Sequence, residues 1–305
     1  MTRLHTRLAA SLIAVLAIAG CGSSKSSTGT STGTATGVTI PVPAVDSTIA
    51  GQVPSAIKSK GTLDVGTEAQ YAPNEFVAPD GHTIIGMDPD LVSALATVMG
   101  LKAVFHNATF ESIIPGIQAG RYDAGASSFT DTKEREKSVD FVTYFKAGIS
   151  FYAKSSSNPG VTTIADLCGK TVAVEKGTVE QEEAEKQSKQ CAKEGKKAVN
   201  VLSFPGQNPV NLAVASGRAE LGMADSPVVA YQIKQSNGGF KLVGQSYNFA
   251  PYGLAVSKNG GLAQPMLAAL KKLMAEGVYT RILAKWGLHE GAISESEAKI
   301  NGATS

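Results

Sequence analysis

The chain lacks most of the features that would assign it a chemistry at sight. Its 28 basic and 26 acidic residues nearly cancel, and no long block of like charge interrupts them. No bulk field therefore draws it onto nucleic acid, and a small-molecule partner is expected instead. Histidine is scarce: His5, His82, His106 and His289 stand at no metal-like spacing, and no paired-cysteine motif accompanies them, so neither a metal centre nor a cofactor is expected. No serine occupies a nucleophile elbow at a strand-to-helix turn. The turn "EKGTVE" lacks the lysine and second glycine of a nucleotide-binding loop. Long apolar runs are missing too, for beyond the first twenty residues none reaches the ~18 residues of a membrane span.

What is present begins with an address. Arg3 and Arg7 precede an apolar run from Leu8 to Ala19, and small residues lead into Cys21, the pattern of a secretory signal over residues 1–20. The tetrad Ile18-Ala19-Gly20-Cys21 resembles the bacterial lipobox, which implies that Cys21 becomes the lipid-modified first residue of the mature protein. Cleavage at a plain signal-peptidase site is the alternative. The expected location is outside the cytoplasm, on the cell membrane, held by that lipid. Residues 22–37, "GSSKSSTGTSTGTATG", bury too little apolar surface to order themselves. The tether is taken as 21–52, with folding from near Val53. In an oxidising compartment the two remaining cysteines, Cys168 and Cys191, are expected to form a disulfide, two free thiols being the alternative.

A length of 305 residues suits two modest α/β units. "TLDVGTEA" reads as a strand with Leu63 and Val65 on one face. A helix follows with Asp88 as N-cap, Pro89 at its first position, a stripe of Leu91, Leu95, Val98 and Met99, and Gly100 as stop. "ESIIPGIQAG" is a second helix feeding the strand "YDAGAS". The alternation restarts after a crossing at "FKAGISFYAK", and a second crossing at "APYGLAVSK" leads to the C-terminal helices. Strands alternating with helices imply mostly parallel sheets flanked by helices. "AGRYDAGASSFTDTKER" (119–135) returns in weaker form as "SGRAELGMAD" (216–225), and the matching strand ends are Ser128 and Asp225. Ligands of open α/β sheets bind beyond the carboxyl ends of the strands, so these two residues are expected on opposite walls of one cleft.

Arg135 stands where Thr132 reads as an N-cap, in a first turn that disfavours cations, and its planar fork suits a carboxylate. A surface pairing with Asp131 or Glu136 is the plainer reading. Ser128 and Thr130 supply hydroxyls where the chain turns. The glycine and free amides of "EKGTVE" suit a carboxylate or phosphate. Asp225 reads either as counter-charge for an ammonium or as a cap for the helix that Pro227 opens. Tyr71 and Phe110 can cover an aliphatic or cationic stem.

Five stretches in order, "LDVGTEAQYAPNEF…DGHTIIGMDPDL", "FESIIPGIQAGRYDAGASSFTDTKERE…VDF", "LCGKTVAVEKGTVE", "GRAELGMADSPVVAY" and "YGLAVSK…KWG", resemble the extracellular solute-binding proteins, family 3, of ABC importers for polar amino acids. The resemblance spans about residues 53–290. It implies a two-lobed periplasmic-binding-protein-like (type II) α/β fold, with lobe 1 formed by 53–149 plus 254–305, lobe 2 by 150–253, and two hinge crossings. It further implies that Arg135 binds a ligand α-carboxylate with help from Thr178, that Asp225 binds the α-amino group, and that Tyr71 is an aromatic lid. Phe110 is then a second wall, and Ser128 and Thr130 are polar contacts. The family's Pro-Phe after Tyr71 is here Pro73-Asn74-Glu75-Phe76, and acids at Glu68, Glu175 and Glu180 lean the side-chain pocket toward arginine, lysine or ornithine, with glutamine and glutamate as alternatives. Lys176 works against that lean. The expected partners are a polar amino acid and the permease subunits of an importer, the binding protein acting as a monomer without catalysis. A cyclohexadienyl-dehydratase-like enzyme is the runner-up, since that family resembles the same fold.

Overall fold

A computed structural model describes residues 38–304; the signal segment, Cys21 and the tether up to residue 37 lie outside the described residues. After α1 (Ser47–Gln52) and α2 (Ser55–Lys60) come β1 (Thr62–Thr67) and the short strands β2 (Gln70–Tyr71), β3 (Glu75–Val77) and β4 (Ile84–Ile85). Then follow α3 (Met87–Val98), β5 (Lys102–Asn107), α4 (Phe110–Gln118), β6 (Ala124–Gly125) and the long β7 (Val139–Lys154). The second run is β8 (Thr171–Glu175), α5 (Val179–Lys193), β9 (Asn200–Phe204), α6 (Gln207–Ser216), β10 (Leu221–Asp225) and α7 (Ser226–Gln235). A second long strand, β11 (Phe240–Ser257), leads back to α8 (Ala263–Ala275) and α9 (Val278–Trp286).

The main sheet has eight strands in the order β5-β1-β6-β11-β7-β10-β8-β9. At one end β1 runs parallel to β5 and β6, and at the other β8 runs parallel to β9 and β10. Between them β7 and β11 pair antiparallel along their length. The mostly parallel ends agree with the expected alternation, and the two crossing sequences are the middle of these long strands. Their register is irregular between Val243 and Tyr247 and again between Tyr247 and Ala250, where the ribbon passes from one half to the other.

Burial explains why the ribbon is continuous. One core collects Leu63 and Val65 of β1, the Leu91–Leu95–Val98–Met99 stripe of α3, Leu270 and Ile282 of the last helices, Val142, Tyr144, Phe145 and Ala147 of β7, and Tyr252, Leu254 and Val256 of β11. A separate core takes Ile149, Phe151 and Ala153 of β7, Val243 of β11, and the apolar residues of β8, β10 and α5. Each fully buried aliphatic side chain contributes roughly 1.5–3 kcal/mol. The same two strands therefore anchor both halves. Among the described residues no helix is long and apolar enough to cross a membrane.

Three local expectations are corrected. Packed structure starts before Val53: Asp46 caps α1 by accepting the N–H groups of Thr48 and Ile49 at 3.0 and 3.2 Å, and Ile49 enters the first core. Asp88 is not the cap of α3, because Gly86 holds that position with φ +141° and Asp88 is turned inward in the first turn. The helix expected after Thr132 is only a three-residue 3-10 turn, Arg135–Lys137, although Thr132 Oγ1 does accept the Arg135 N–H at 3.2 Å.

Cys168 and Cys191 form a disulfide across 23 positions, tying the segment before β8 to the last turns of α5. Closing a loop of that length removes chain entropy from the unfolded state worth about 3 kcal/mol. Replacing both cysteines by serine is expected to lower the unfolding free energy in urea by about that amount, and an unchanged midpoint in non-reducing buffer would contradict it.

Candidate ligand site

The carboxyl ends of β1, β6, β8 and β10 converge on a cleft that encloses about 280 Å³ of empty space, open solvent included. All eight residues expected to contact a ligand, Glu68, Tyr71, Phe110, Ser128, Thr130, Arg135, Thr178 and Asp225, line it, together with Glu175 and Glu180. Ser128, three residues past β6, and Asp225, the last residue of β10, both line the cavity, and each strand follows a left-handed glycine, Gly120 or Gly217. Glu75, Ser127 and Val179 also line the cavity and were not among the expected contacts. Glu75 stood within the departure Pro73-Asn74-Glu75-Phe76 and Ser127 beside Ser128. Val179 carries no chemical signal in sequence.

Arg135 is half-buried rather than a free surface cation. Its Nη1 donates to the Thr130 carbonyl at 2.8 Å and its Nη2 to the Gly177 carbonyl at 2.9 Å. The guanidinium also lies 5.4 Å from the Phe110 ring centroid and 5.8 Å from that of Phe129, two rings stacked at 4.6 Å. Aromatic faces and carbonyl dipoles hold the positive charge in place while leaving the rest of its five N–H donors for an incoming anion. Burial lowers its pKa, but a guanidinium ionises so far above neutrality that it stays charged.

Gly177 lies on the turn between β8 and α5 with φ +81°, and a Cβ there would fall 2.8 Å from Glu111 Cβ of the facing wall. Only glycine fits. The next residue, Thr178, caps α5 by accepting the Gln181 N–H at 3.3 Å and donates its hydroxyl to the Glu175 carbonyl at 2.8 Å. Lys176, which argued against an acidic pocket in the sequence, reaches across to Glu111 at 3.4 Å and is not among the lining residues.

Asp225 is the N-cap residue of α7 by position, yet its side chain makes no capping bond. Instead its Oδ2 accepts the Tyr71 hydroxyl at 2.9 Å, while its own N–H donates back to that hydroxyl oxygen at 3.0 Å. Burial pushes the Asp225 carboxyl up to about 6, opposed by the hydroxyl bonds it accepts. Glu68 is pushed up to about 7, again by burial, and the Gln70 N–H donates to its Oε2 at 3.2 Å. Glu175 and Glu180 are raised well above the usual carboxylate range by burial first and by neighbouring acids second. Glu68 Oε1, Glu175 Oε1 and Glu180 Oε1 are all buried without a hydrogen-bond partner. Five carboxyl groups thus line a space that one guanidinium shares. Such a space is complementary to a compact ligand bearing several N–H donors and net positive charge at one end.

With that geometry in view, the comparisons with known proteins are direct. Residues 63–289 match the bacterial extracellular solute-binding proteins, family 3, and the chain belongs to that family. It is 37% identical over 257 residues to the arginine-binding protein ArgT of Corynebacterium glutamicum, covering 84% of this chain and 83% of the relative. It superposes on an ancestral arginine-binding protein bound to arginine with a TM-score of 0.69 and 34% identity, over 74% of this chain and 98% of the other. A third likeness is to the ancestral amino acid-binding protein AncCDT-1, a precursor of cyclohexadienyl dehydratase, with a TM-score of 0.66 and 34% identity over 76% of this chain and 97% of that one. The periplasmic-binding-protein fold expected from the sequence is the observed fold. The curated relatives are transport binding proteins rather than enzymes.

The Tyr71–Asp225 bond permits a test without ligand. Removing the donor takes away a hydrogen bond that favours the charged carboxylate, so Tyr71→Phe is expected to raise the Asp225 midpoint above about 6. A carboxyl ¹³C titration reads this directly, and a midpoint that stays or falls would contradict the assigned contact.

Proposed function

We propose that this protein is the lipid-anchored, extracytoplasmic receptor of an ABC importer, which captures a basic L-amino acid, arginine first, and delivers it to the membrane permease. The anchor rests on the lipobox-like tetrad ending at Cys21. The observation that carries the ligand is the set of three buried, partnerless carboxylate oxygens on Glu68, Glu175 and Glu180. A guanidinium offers five planar donors to such acceptors, and an unpaired buried acid is costly enough to demand them. Arg135 takes the α-carboxylate beside the Thr178 turn, Asp225, with Glu180 next to it, takes the α-ammonium, and Tyr71 and Phe110 flank the stem. Ser128 and Thr130 complete the polar wall. The arginine-binding relatives support the same reading.

Calorimetry against the standard amino acids plus ornithine tests it. Arginine is expected to bind tightest, with lysine and ornithine weaker. Its affinity should rise with pH through about 6–7, because Asp225 and Glu68 are partly protonated in the empty protein and the ligand cation favours their charged forms, expelling protons. Arg135→Ala should weaken binding by about 2–5 kcal/mol, and Arg135→Lys should recover only part. Tight glutamate binding, or affinity falling with pH, would overturn the assignment.

Function on this reading needs the halves to part. They are lobe 1, 53–149 with 254–305, and lobe 2, 150–253, moving about the β7–β11 ribbon. Small-angle scattering of the protein with saturating arginine should give a smaller radius of gyration than the same protein without it. Equal radii under verified saturation would refute closure.

A further inference from the structure

One cavity-lining acid, Glu75, is paired with a second acid behind it, Asp88, and the ligand reading leaves both unused. Glu75, at the start of β3, and Asp88, in the first turn of α3, are both 0% exposed and lie within hydrogen-bonding reach of each other. Both hold the same residue: Ser128 donates its N–H to Asp88 Oδ2 at 3.0 Å and its hydroxyl to Glu75 Oε2 at 3.2 Å. Ser127 donates to Glu75 Oε1 at 3.4 Å, Asn74 Nδ2 donates to Ser128 Oγ at 2.8 Å, and the Tyr144 hydroxyl of β7 donates to Asp88 Oδ1 at 2.7 Å. Ser128 has φ +51°, a left-handed conformation that a serine keeps only when its surroundings hold it.

The charged and titratable groups facing Glu75 are Asp88 from α3, Glu68 from the end of β1 and Tyr144 from β7. None is a cation. Among the described residues no lysine, arginine or histidine pairs with either carboxyl, and Arg135 is taken up by the Thr130 and Gly177 carbonyls. Two adjacent carboxylates in a dry space cannot both ionise, and one proton shared between them is the stable arrangement. We propose that Glu75 is a neutral carboxylic acid donating its proton to Asp88, and that this pair is a positioning device that fixes Ser128 in the pocket wall rather than a counter-charge for the ligand. Burial, and next the charge of Asp88, raise the Glu75 carboxyl well above its usual range, while Asp88 itself lies at about 6.

The sign of the pH dependence follows from that arrangement. In the unfolded chain Glu75 loses its proton near pH ~4.3. The folded protein keeps it, so this residue's contribution to stability declines as pH rises above that value. Glu75→Gln supplies an amide donor to Asp88 and an acceptor to Ser128 with nothing to titrate. The unfolding temperature of Glu75→Gln relative to the parent is therefore expected to climb steadily from pH 5 to 8, and the parent-minus-variant infrared difference spectrum at pH 7 should carry a protonated carboxylic acid band from Glu75, the bands of Glu68, Glu175 and Glu180 being common to both. A constant temperature gap, or no such band, would overturn the proposal.

The binding arm rests on the arginine reading above. Glu75→Leu should weaken arginine binding at least tenfold and Glu75→Gln should restore it, whereas Glu68→Gln, which removes a counter-charge, should stay weak. Equal losses in Glu75→Gln and Glu68→Gln would overturn the positioning role. A parent that binds no basic amino acid would refute the arginine reading alone, with the unfolding and infrared measurements still deciding where the proton is.

Discussion

A carboxylate taken out of water loses hydration worth several kcal/mol, and only a well-placed cation or hydrogen bonds offset the loss. Around the central cavity five carboxyl groups face that cost on ionising, at Glu68, Glu75, Glu175, Glu180 and Asp225, against a single guanidinium. The imbalance is resolved differently at each acid. Asp225 leans on Tyr71, Glu68 on a backbone amide, and Glu75 on two serines and its neighbour Asp88. At Glu175 and Glu180 an oxygen is left bare, as is one at Glu68. A site of this kind stores an electrostatic demand in the empty protein, and the ligand that meets it is selected by charge before shape is considered.

The fold makes such a demand tolerable by dividing it. Glu68, Glu75 and Arg135 come from one half, Glu175, Glu180 and Asp225 from the other, and each half has its own apolar core. Apolar packing also reaches the pocket itself, because Val179 packs against the second core and Tyr71 and Phe110 join two smaller clusters. The β7–β11 ribbon joins the cores through backbone hydrogen bonds and apolar side chains, with irregular register where it crosses.

Much of this was legible in the sequence because it was written twice. The stretch at 119–135, returning in weaker form at 216–225, marks the two strand ends Ser128 and Asp225, and Arg135 stood out because a first turn is a poor place for a cation. What stayed hidden depended on distant partners. Asp88 has every local mark of a helix cap, yet Ser128 and Tyr144 draw its carboxylate inward. Residues 47–52 look like more tether until Ile49 meets α8 and α3 in the core. For Arg135 a surface pairing with Asp131 or Glu136 was the plainer alternative, and the Thr130 and Gly177 carbonyls and the Phe110 ring, which hold it half-buried, are not adjacent to it in sequence. Glu75 was noticed as a departure from the family pattern without its burial being readable.

Gly177 also sets a dimension. Its bare Cα face meets the Glu111 side chain with no room for a methyl group, and on either side of it Lys176 pairs with Glu111 while the Gly177 carbonyl accepts from Arg135. This contact is backbone against side chain, and Gly206 makes a second one, where a Cβ would fall 2.7 Å from Gln70 Nε2 and 2.9 Å from Glu68 Oε1. A methyl group added at Gly177 would act as a wedge: either the glycine turn or the helix that carries Glu111 would have to move.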